Sequence, residues 1–138
     1  MSNFIPYIEL NTNKGPLKFL IDTGANKNYI SPRHVILEKC FKTTPTSVRN
    51  VNGQHRIDKY VKFNPVPQIP HTDKVNFFVF DFHPFFDGLI GYETLQQLNA
   101  RINTSENTLE ISNYKIQMLR KYPKSCYVQL NANESKIA

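Results

Sequence analysis

An aspartate at the end of an apolar segment is the position in this chain that most suggests chemistry. In residues 17–32, LKFLIDTGANKNYISP, an apolar run leads directly into Asp22, and the small residues Thr23, Gly24 and Ala25 follow it. Burial penalises a charged carboxylate, so a strand that ends in one needs an explanation. A simple turn is one explanation, because Asp bonds to its own backbone and Gly adopts unusual torsion angles. Acid–base chemistry is the other, because two carboxyls about 3 Å apart share one proton and can act together on a bound water.

Two further features follow this segment in a fixed order. The first is a glycine hairpin tip, Val51-Asn52-Gly53-Gln54, and the second is the apolar triplet Leu89-Ile90-Gly91, which stands directly before a helical pattern. Together with the Asp-Thr-Gly-Ala segment, this order and spacing resemble the retropepsin-like aspartic proteases of retroviruses and LTR retrotransposons. The phrases FLIDTGANKNYISP and DGLIGYETLQQLNARIN are especially similar to the gypsy-type retrotransposon branch. The resemblance extends over about residues 5–111.

The resemblance implies a fold, a reaction and a set of active-site residues. The implied fold is mostly β, an acid-protease lobe in the form of a closed barrel with one short helix in its C-terminal half. Asp22 is implied to be catalytic, and Thr23, Gly24 and Ala25 to form the active-site loop, with the Thr23 hydroxyl bonding across to a partner loop. The implied reaction is peptide-bond hydrolysis by an activated water, without a metal or another cofactor.

The number of suitable carboxylates then predicts a dimer. Only one Asp-Thr-Gly occurs in the chain, no Asp-Ser-Gly is present, and Asp87-Gly88 lacks the intervening hydroxyl residue. One chain therefore contains half of a two-carboxylate site. An enzyme built this way must be a homodimer in which Asp22 and its symmetry mate meet on the two-fold axis.

Substrate contacts are implied by the same resemblance. Residues 51–54 match the flap that closes over the peptide and excludes water, with an ordinary surface hairpin as the alternative. Asn26 is expected to contact the substrate backbone. Phe86 and Leu89 are candidate walls of an apolar pocket, with core packing as the alternative. We therefore expect a preference for apolar residues beside the cleaved bond.

One pair of positions departs from many retroviral enzymes. Those enzymes have Asp after Asp-Thr-Gly-Ala and Arg after the apolar triplet, and the two side chains form an ion pair. Here Asn26 and Tyr92 occupy these positions. Because both charges are absent together, we expect a neutral hydrogen bond in place of the ion pair, and the dimer needs support from other contacts.

The elements that must position these residues are mostly short strands. Strands are predicted over residues 4–10, 17–21, 28–30, 47–63 (a hairpin that turns at 52–53), 75–80 and 100–111 (a second hairpin). Residues 64–71 contain three prolines and are predicted to form a loop or an edge. A short helix is predicted near residues 32–39, with Ser31 as N-cap and Pro32 at the first helical position. The clearest helix is predicted over residues 92–99, where Leu95 and Leu98 have helical spacing.

The division of the chain follows from these elements. Residues 1–111 are expected to form the protease-like domain, and residues 112–138 a C-terminal extension. The extension is predicted to contain additional strands, YKIQML and CYVQL, or to be a partly disordered linker to the next domain of a polyprotein.

Composition limits the partners. With 138 residues, 40% of them hydrophobic and 20% charged, the sequence fits one globular domain. It has no apolar run near the roughly 20 residues that span a bilayer and no signal-peptide pattern, so we expect no membrane partner and a cytoplasmic location, including the interior of virus-like particles. Cys40 and Cys126 are predicted to be free thiols. The net charge of +6 is scattered, and the four histidines have no zinc-binding spacing with cysteine, so nucleic acid is not expected as a direct ligand.

Two functions remain open at this point. The leading one is a homodimeric aspartic endopeptidase that uses an Asp22 dyad to cleave the junctions of its own polyprotein. The alternative is a domesticated, non-catalytic retropepsin-like module for peptide binding or dimerisation. The intact Asp-Thr-Gly favours catalysis, and a peptidase assay separates the two.

Overall fold

The computed structural model describes residues 6–50, 53–120 and 137. The predicted hairpin tip at Val51 and Asn52, the predicted strand CYVQL and Cys126 lie outside these residues. In chain order the described elements are the strands β1 (Tyr7–Thr12), β2 (Gly15–Asp22) and β3 (Tyr29–Ile30), two 3-10 turns (Pro32–His34 and Leu37–Lys39), β4 (Phe41–Asn50), β5 (Gly53–Phe63), β6 (Val75–Val79), β7 (Gly88–Gly91), the helix α1 (Tyr92–Gln97), β8 (Arg101–Asn103), β9 (Thr108–Ile111) and β10 (Tyr114–Gln117). The class, mostly β with one short helix, is the one that the sequence predicts.

The strands form two sheets. Seven of them make one sheet in the order β1-β2-β7-β3-β6-β5-β4, and three make a small sheet in the order β10-β9-β8. The prediction of a closed barrel is wrong, because β1 and β4 lie at opposite ends of the large sheet and no ladder joins them in the described part of the chain. The sequence of β4 explains its edge position. Pro45 cannot donate to a ladder, and it lies where the β4–β5 register shifts between Lys42 and Thr46.

The core lies on one face of the large sheet and is closed by the small sheet. In β2 the side chains of Leu17, Phe19 and Ile21 are buried, in the period of two that a half-buried strand shows. At the centre the rings of Phe63 and Phe77 stack at 4.2 Å between centroids, and Phe19 packs against both. Further apolar side chains come from α1, β9, β10 and the C-terminal end of the chain: Leu95, Leu109, Ile111, Ile116 and Ile137.

The region predicted as a helix near residues 32–39 folds differently. It contains two separate 3-10 turns, with Val35 and Ile36 in extended conformation between them. Two adjacent β-branched residues favour extended backbone over helix, which accounts for the interruption. Pro32 begins the first turn as predicted, but the Ser31 hydroxyl accepts a hydrogen bond from Arg33 instead of capping the turn.

Other predicted elements have shifted ends. The β4–β5 hairpin is present, with Asn50 opposite Gly53, and Gly53 has the positive φ of +113° that glycine accommodates; β4 begins at Phe41, before the predicted start. Beyond residue 111, Tyr114–Gln117 pairs with β9, which matches the additional-strand alternative for this part of the extension. The boundary at residue 111 stays a prediction. None of the described helices is long and apolar enough to cross a membrane.

Candidate active site

Asp22 is the last residue of β2 and lies at the surface of the single chain. The strand pairs in parallel with β7, which places Asp22 opposite Gly91. The Asp22 carboxylate accepts a hydrogen bond from the Gly24 N–H at 2.8 Å, and the Asp22 carbonyl accepts one from the Ala25 N–H at 3.2 Å. The simple turn, which was the first explanation offered for this segment, is therefore present. Asp22 is half-buried and Thr23 and Gly24 are exposed, so the carboxylate is open to solvent or to a partner.

The loop after Asp22 is held from behind by the start of α1. The Tyr92 N–H donates to the Ala25 carbonyl at 2.7 Å, and the Glu93 N–H donates to the Asn26 carbonyl at 3.3 Å. Gly91 fits closely against the same loop, because a Cβ at this position would lie 2.7 Å from the Ala25 carbonyl oxygen and would also meet the Lys27 carbonyl oxygen. The apolar-apolar-Gly triplet thus has a physical role, which is to let two backbone segments approach closely.

Asn28 connects the active-site loop, the helix α1 and the large sheet. The sequence patterns predict this residue only as part of a strand. Its side chain is buried, with the residue 4% exposed. The Oδ1 atom accepts the Gly91 N–H at 2.9 Å, and the Nδ2 atom donates to the Thr94 hydroxyl at 2.6 Å and to the Asn76 carbonyl at 3.1 Å. One indication was available in the sequence: Asn28 shares its strand face with the buried Ile30, so it is a polar residue at an inward position.

The expected hydrogen bond between the Asn26 and Tyr92 side chains is not found in the described part of the chain. Both residues are exposed, and the backbone bonds of Tyr92 and Glu93 described above connect the two segments instead. An ion pair lies one position further along each segment, with Lys27 Nζ 3.1 Å from Glu93 Oε1. Both side chains of this pair are more than half exposed, so its contribution to stability is at most about 1 kcal/mol.

The predicted pocket residues have different positions. Leu89 lies in β7 between Leu20 of β2 and Tyr29 of β3, next to the strand that ends in Asp22. Phe86 is only 1% exposed and packs against Tyr7 and Phe85, so core packing, the alternative left open for it, accounts for its position. A direct contact of Phe86 with substrate would require this aromatic cluster to open; the contact stays a prediction.

Among the predicted substrate contacts in the described part of the chain, the exposed residues are Asn26, Gly53 and Gln54. Asn26 follows the active-site loop, and the other two lie at the free end of the β4–β5 hairpin. Their proposed contacts with substrate also stay predictions.

Asp87 is an anchor rather than a second catalytic carboxylate. Its Oδ2 atom accepts the Lys18 N–H at 2.8 Å, and its Oδ1 atom lies 2.9 Å from Arg33 Nη2 and 2.7 Å from His34 Nε2. Burial raises the pKa of the Asp87 carboxyl, but the hydrogen bonds from Lys18, His34 and Arg33 outweigh burial and hold the pKa below its ordinary value. A fully bonded, ionised carboxylate is unsuited to exchange protons with a substrate. Within the described ranges no three His, Cys, Asp or Glu side chains come together as a metal-binding group.

A groove with both polar and apolar lining begins at the Asp-Thr-Gly loop. Thr23 lies at its edge, and Tyr92, Leu95 and Ile102 are among its lining residues. Tyr92 is 48% exposed and Ile102 is 38% exposed, which is high for side chains of their size and type. The surface next to Asp22 therefore includes apolar area that the single chain leaves uncovered.

Comparison with known proteins identifies similar sequences and folds. Residues 3–103 match the family model described as retroviral aspartyl protease. The retrovirus-related Pol polyprotein from transposon gypsy of Drosophila melanogaster is 32% identical over 106 residues, which are 77% of this chain and 10% of the relative. The chain thus spans about a tenth of the length of that polyprotein.

Two solved structures show the same fold at lower identity. The retroviral protease-like domain of Ddi1 from Leishmania major has a TM-score of 0.63 at 18% identity, over 86% of this chain and 96% of that one. The EIAV protease, solved with the inhibitor HBY-793, has a TM-score of 0.50 at 22% identity, over 72% of this chain and 92% of that one.

Proposed function

We propose that this chain, which belongs to the retroviral aspartyl protease family, is an aspartic endopeptidase that acts as a homodimer. The observation that carries the proposal is the intact Asp-Thr-Gly segment at the end of β2, with the Asp22 carboxylate ordered by Gly24 and open on its outer side. The same residues also form a simple turn, so the turn alone does not decide between the two functions; membership of the family, together with the open carboxylate, favours catalysis.

In the proposed reaction, the Asp22 carboxyls of two protomers share one proton around a water molecule. One carboxylate removes a proton from the water, which attacks the peptide carbonyl, while the other carboxyl protonates the carbonyl oxygen. The resulting diol then breaks its C–N bond: the first carboxyl gives its proton to the leaving nitrogen, and the second carboxylate takes a proton from a diol hydroxyl, which restores the shared-proton pair. The two groups titrate as a pair, because both cannot ionise at about 3 Å. Gly24 and Ala25 are small, which lets the second loop and the substrate backbone approach.

The surface around the loop supports the dimer. Thr23 is exposed, and the groove beside it exposes Tyr92 and Ile102. A second copy placed with its own loop against this loop would cover apolar area and complete the dyad. A two-fold interface of this kind uses the same surface on both chains.

The β4–β5 hairpin is the proposed flap, and residues 51–54 are its proposed tip. An extended peptide held beneath it would form backbone hydrogen bonds, and the pockets would select side chains. By analogy with the gypsy polyprotein, the proposed substrates are the junctions of a polyprotein that contains this domain, cleaved in the cytoplasm or inside a particle.

Digestion of a mixed peptide library at about pH 5–6 tests this proposal, with sizing chromatography on the same samples. The variant is Asp22→Asn, and the matched control is Asp73→Asn, an exposed aspartate that makes no hydrogen bond or ion pair to the described residues. We expect the wild type and the control to cleave between apolar residues and Asp22→Asn to be inactive while still dimeric. A folded dimer without activity would contradict catalysis and favour the binding module, and an active monomer would contradict the shared dyad.

A further inference from the structure

A row of large apolar side chains crosses the large sheet from the active-site strand to its far edge. Strand register places six residues side by side on six neighbouring strands, in the order Leu20, Leu89, Tyr29, Phe78, Tyr60 and Phe41. Directly opposed residues share a face of the sheet, and so do residues two apart on one strand. Asp22 is two residues beyond Leu20 on β2, so the catalytic carboxylate and this row belong to the same face.

Four members of the row form a continuous ladder of aromatic rings, which we call the aromatic ladder: Tyr29, Phe78, Tyr60 and Phe41. Their ring centroids are 6.5, 5.8 and 5.3 Å apart in that order, and the last pair is stacked. The ladder faces away from the core, because the next residues along three of the strands, Ile30, Val61 and Phe77, are fully buried on the other face.

The ladder becomes more accessible toward the edge of the sheet. Tyr29, Phe78 and Tyr60 are half-buried, while Phe41 is 48% exposed. Strands that present aromatic rings on an uncovered face are a feature of binding surfaces, because water would otherwise contact a large apolar area. Leu20 and Leu89 continue the row to the strand that ends in Asp22, although Leu89 is itself only 6% exposed. The ladder and the Asp22 carboxylate therefore share one face of the sheet, where one extended molecule can reach both.

The charges near Phe41, at the outer end of the aromatic ladder, indicate the chemistry of a ligand that would bind there. Lys62 lies on the same face as Tyr60, and its ammonium is 5.5 Å from the centre of the Phe41 ring. Asp58, the acidic residue of that face on β5, is already close to Arg56 and Lys59. A ligand segment with an aromatic side chain beside a carboxylate would pack on the rings and pair with Lys62.

Dimensions fix which part of a substrate would reach the ladder. Neighbouring strands are about 4.8 Å apart, so five intervals from Leu20 to Phe41 span about 24 Å. An extended peptide advances about 3.3 Å per residue, so it crosses this span in roughly seven residues. We infer that the aromatic ladder is a distal substrate-binding surface, which binds an acidic–aromatic segment of the polyprotein about six or seven residues from the cleaved bond.

This inference rests on the proposed function, and binding measurements separate the two. The probes are two fluorescein-labelled 16-residue peptides with the same apolar half. In one, the other half carries Glu-Phe six and seven residues from the central bond, and in the other it carries Ser-Ser. Anisotropy with the inactive Asp22→Asn protein measures binding without cleavage. We expect the Glu-Phe peptide to bind about tenfold more tightly, an advantage of about 1.4 kcal/mol.

The same titrations on the background of Asp22→Asn test the residues. Phe41→Ala is expected to abolish the tenfold preference and to leave the affinity for the Ser-Ser peptide unchanged. Lys62→Gln is expected to reduce the preference for the Glu-Phe peptide and to make that preference insensitive to salt. Leu37→Ala is the matched control, since Leu37 is a similarly exposed apolar residue outside the row. Equal binding of the two peptides to the parent protein, or loss of both in Phe41→Ala, would overturn the inference. A preserved preference with no cleavage of either peptide by wild-type protein would instead overturn the proposed protease and leave the ladder as a peptide-binding surface.

Discussion

Replacement of Asn28 by alanine is expected to destabilise the whole domain, because this one side chain connects four elements. Its amide oxygen holds the Gly91 N–H, and its amide nitrogen holds the Thr94 hydroxyl and the Asn76 carbonyl. In Asn28→Ala all three groups lose this partner, and two of them, on Gly91 and Thr94, belong to buried residues.

The magnitude follows from the three bonds. A buried group left without a partner costs about 1–3 kcal/mol. The bonds to the Gly91 N–H and the Thr94 hydroxyl are the buried ones. Counting these two alone gives about 2–6 kcal/mol, so we expect a loss near 4 kcal/mol. A typical domain is stable by only about 5–15 kcal/mol, and for a chain of this size the loss corresponds to a fall in Tm of about 12 °C.

Urea unfolding followed by circular dichroism measures the loss directly. Asn26→Ala, two residues earlier, is the matched control, because its exposed side chain makes no hydrogen bond within the described residues, and it should change stability by less than about 0.5 kcal/mol. Asn28→Asp adds a second test: it keeps an acceptor for Gly91 but loses the donor, so it should recover stability in acid, where a protonated carboxyl can donate. A cost below about 1 kcal/mol for Asn28→Ala would refute this account of the site.

Three further changes have defined outcomes. Tyr7→Phe should raise the free energy of unfolding by about 1 kcal/mol in a urea titration, because the buried Tyr7 hydroxyl is without a partner in the described structure. Burial, with Glu9 nearby, also raises the pKa of this hydroxyl to about 12. A loss of stability would show that the hydroxyl is bonded. Asp87→Asn should lower the free energy of unfolding by about 2–4 kcal/mol at pH 7. Because the pKa of Asp87 is lowered on folding, the stability that its carboxylate contributes is present above about pH 4 and disappears as the pH falls through the folded pKa. A cost that is constant from pH 7 to pH 2 would contradict the ionised anchor. Gly91→Ala should cost about 1–3 kcal/mol and abolish peptidase activity, since its Cβ displaces the loop at Ala25; thermal unfolding and the library digest test both effects, and an active, stable variant would contradict the close packing.

Short sequence patterns predict those elements whose conformation depends on a few adjacent residues. The Asp-Thr-Gly turn, the Gly53 hairpin and the helix after Gly91 each depend on a few adjacent residues, and all three are present. The same applies to the family, because the motifs that carry the resemblance are short and ordered along the chain. The helix predicted near residues 32–39 is absent for an equally local reason, the extended conformation of the adjacent β-branched residues Val35 and Ile36.

Contacts between distant residues could not be predicted in this way. Asn28 bonds to residues 48, 63 and 66 positions away, and Asp87 bonds to residues 53, 54 and 69 positions away. Neither set has a spacing rule, because the sheet order β2-β7-β3-β6 brings the partners together. The closed barrel was also beyond local reasoning, since closure depends on whether the two outermost strands meet.

The irregular β4 strand bears on how this molecule can associate with itself. A chain that requires a second copy for its proposed reaction has to favour one contact and disfavour the others. An unpaired strand edge is a general route to fibrous aggregation, because any other edge can add to it. Pro45, the bulge around it and the charges of Lys42 and Arg49 make β4 a poor template for such addition. These features disfavour open-ended stacking of sheets, which is what a chain that pairs only at its Asp22 surface, as proposed, would require.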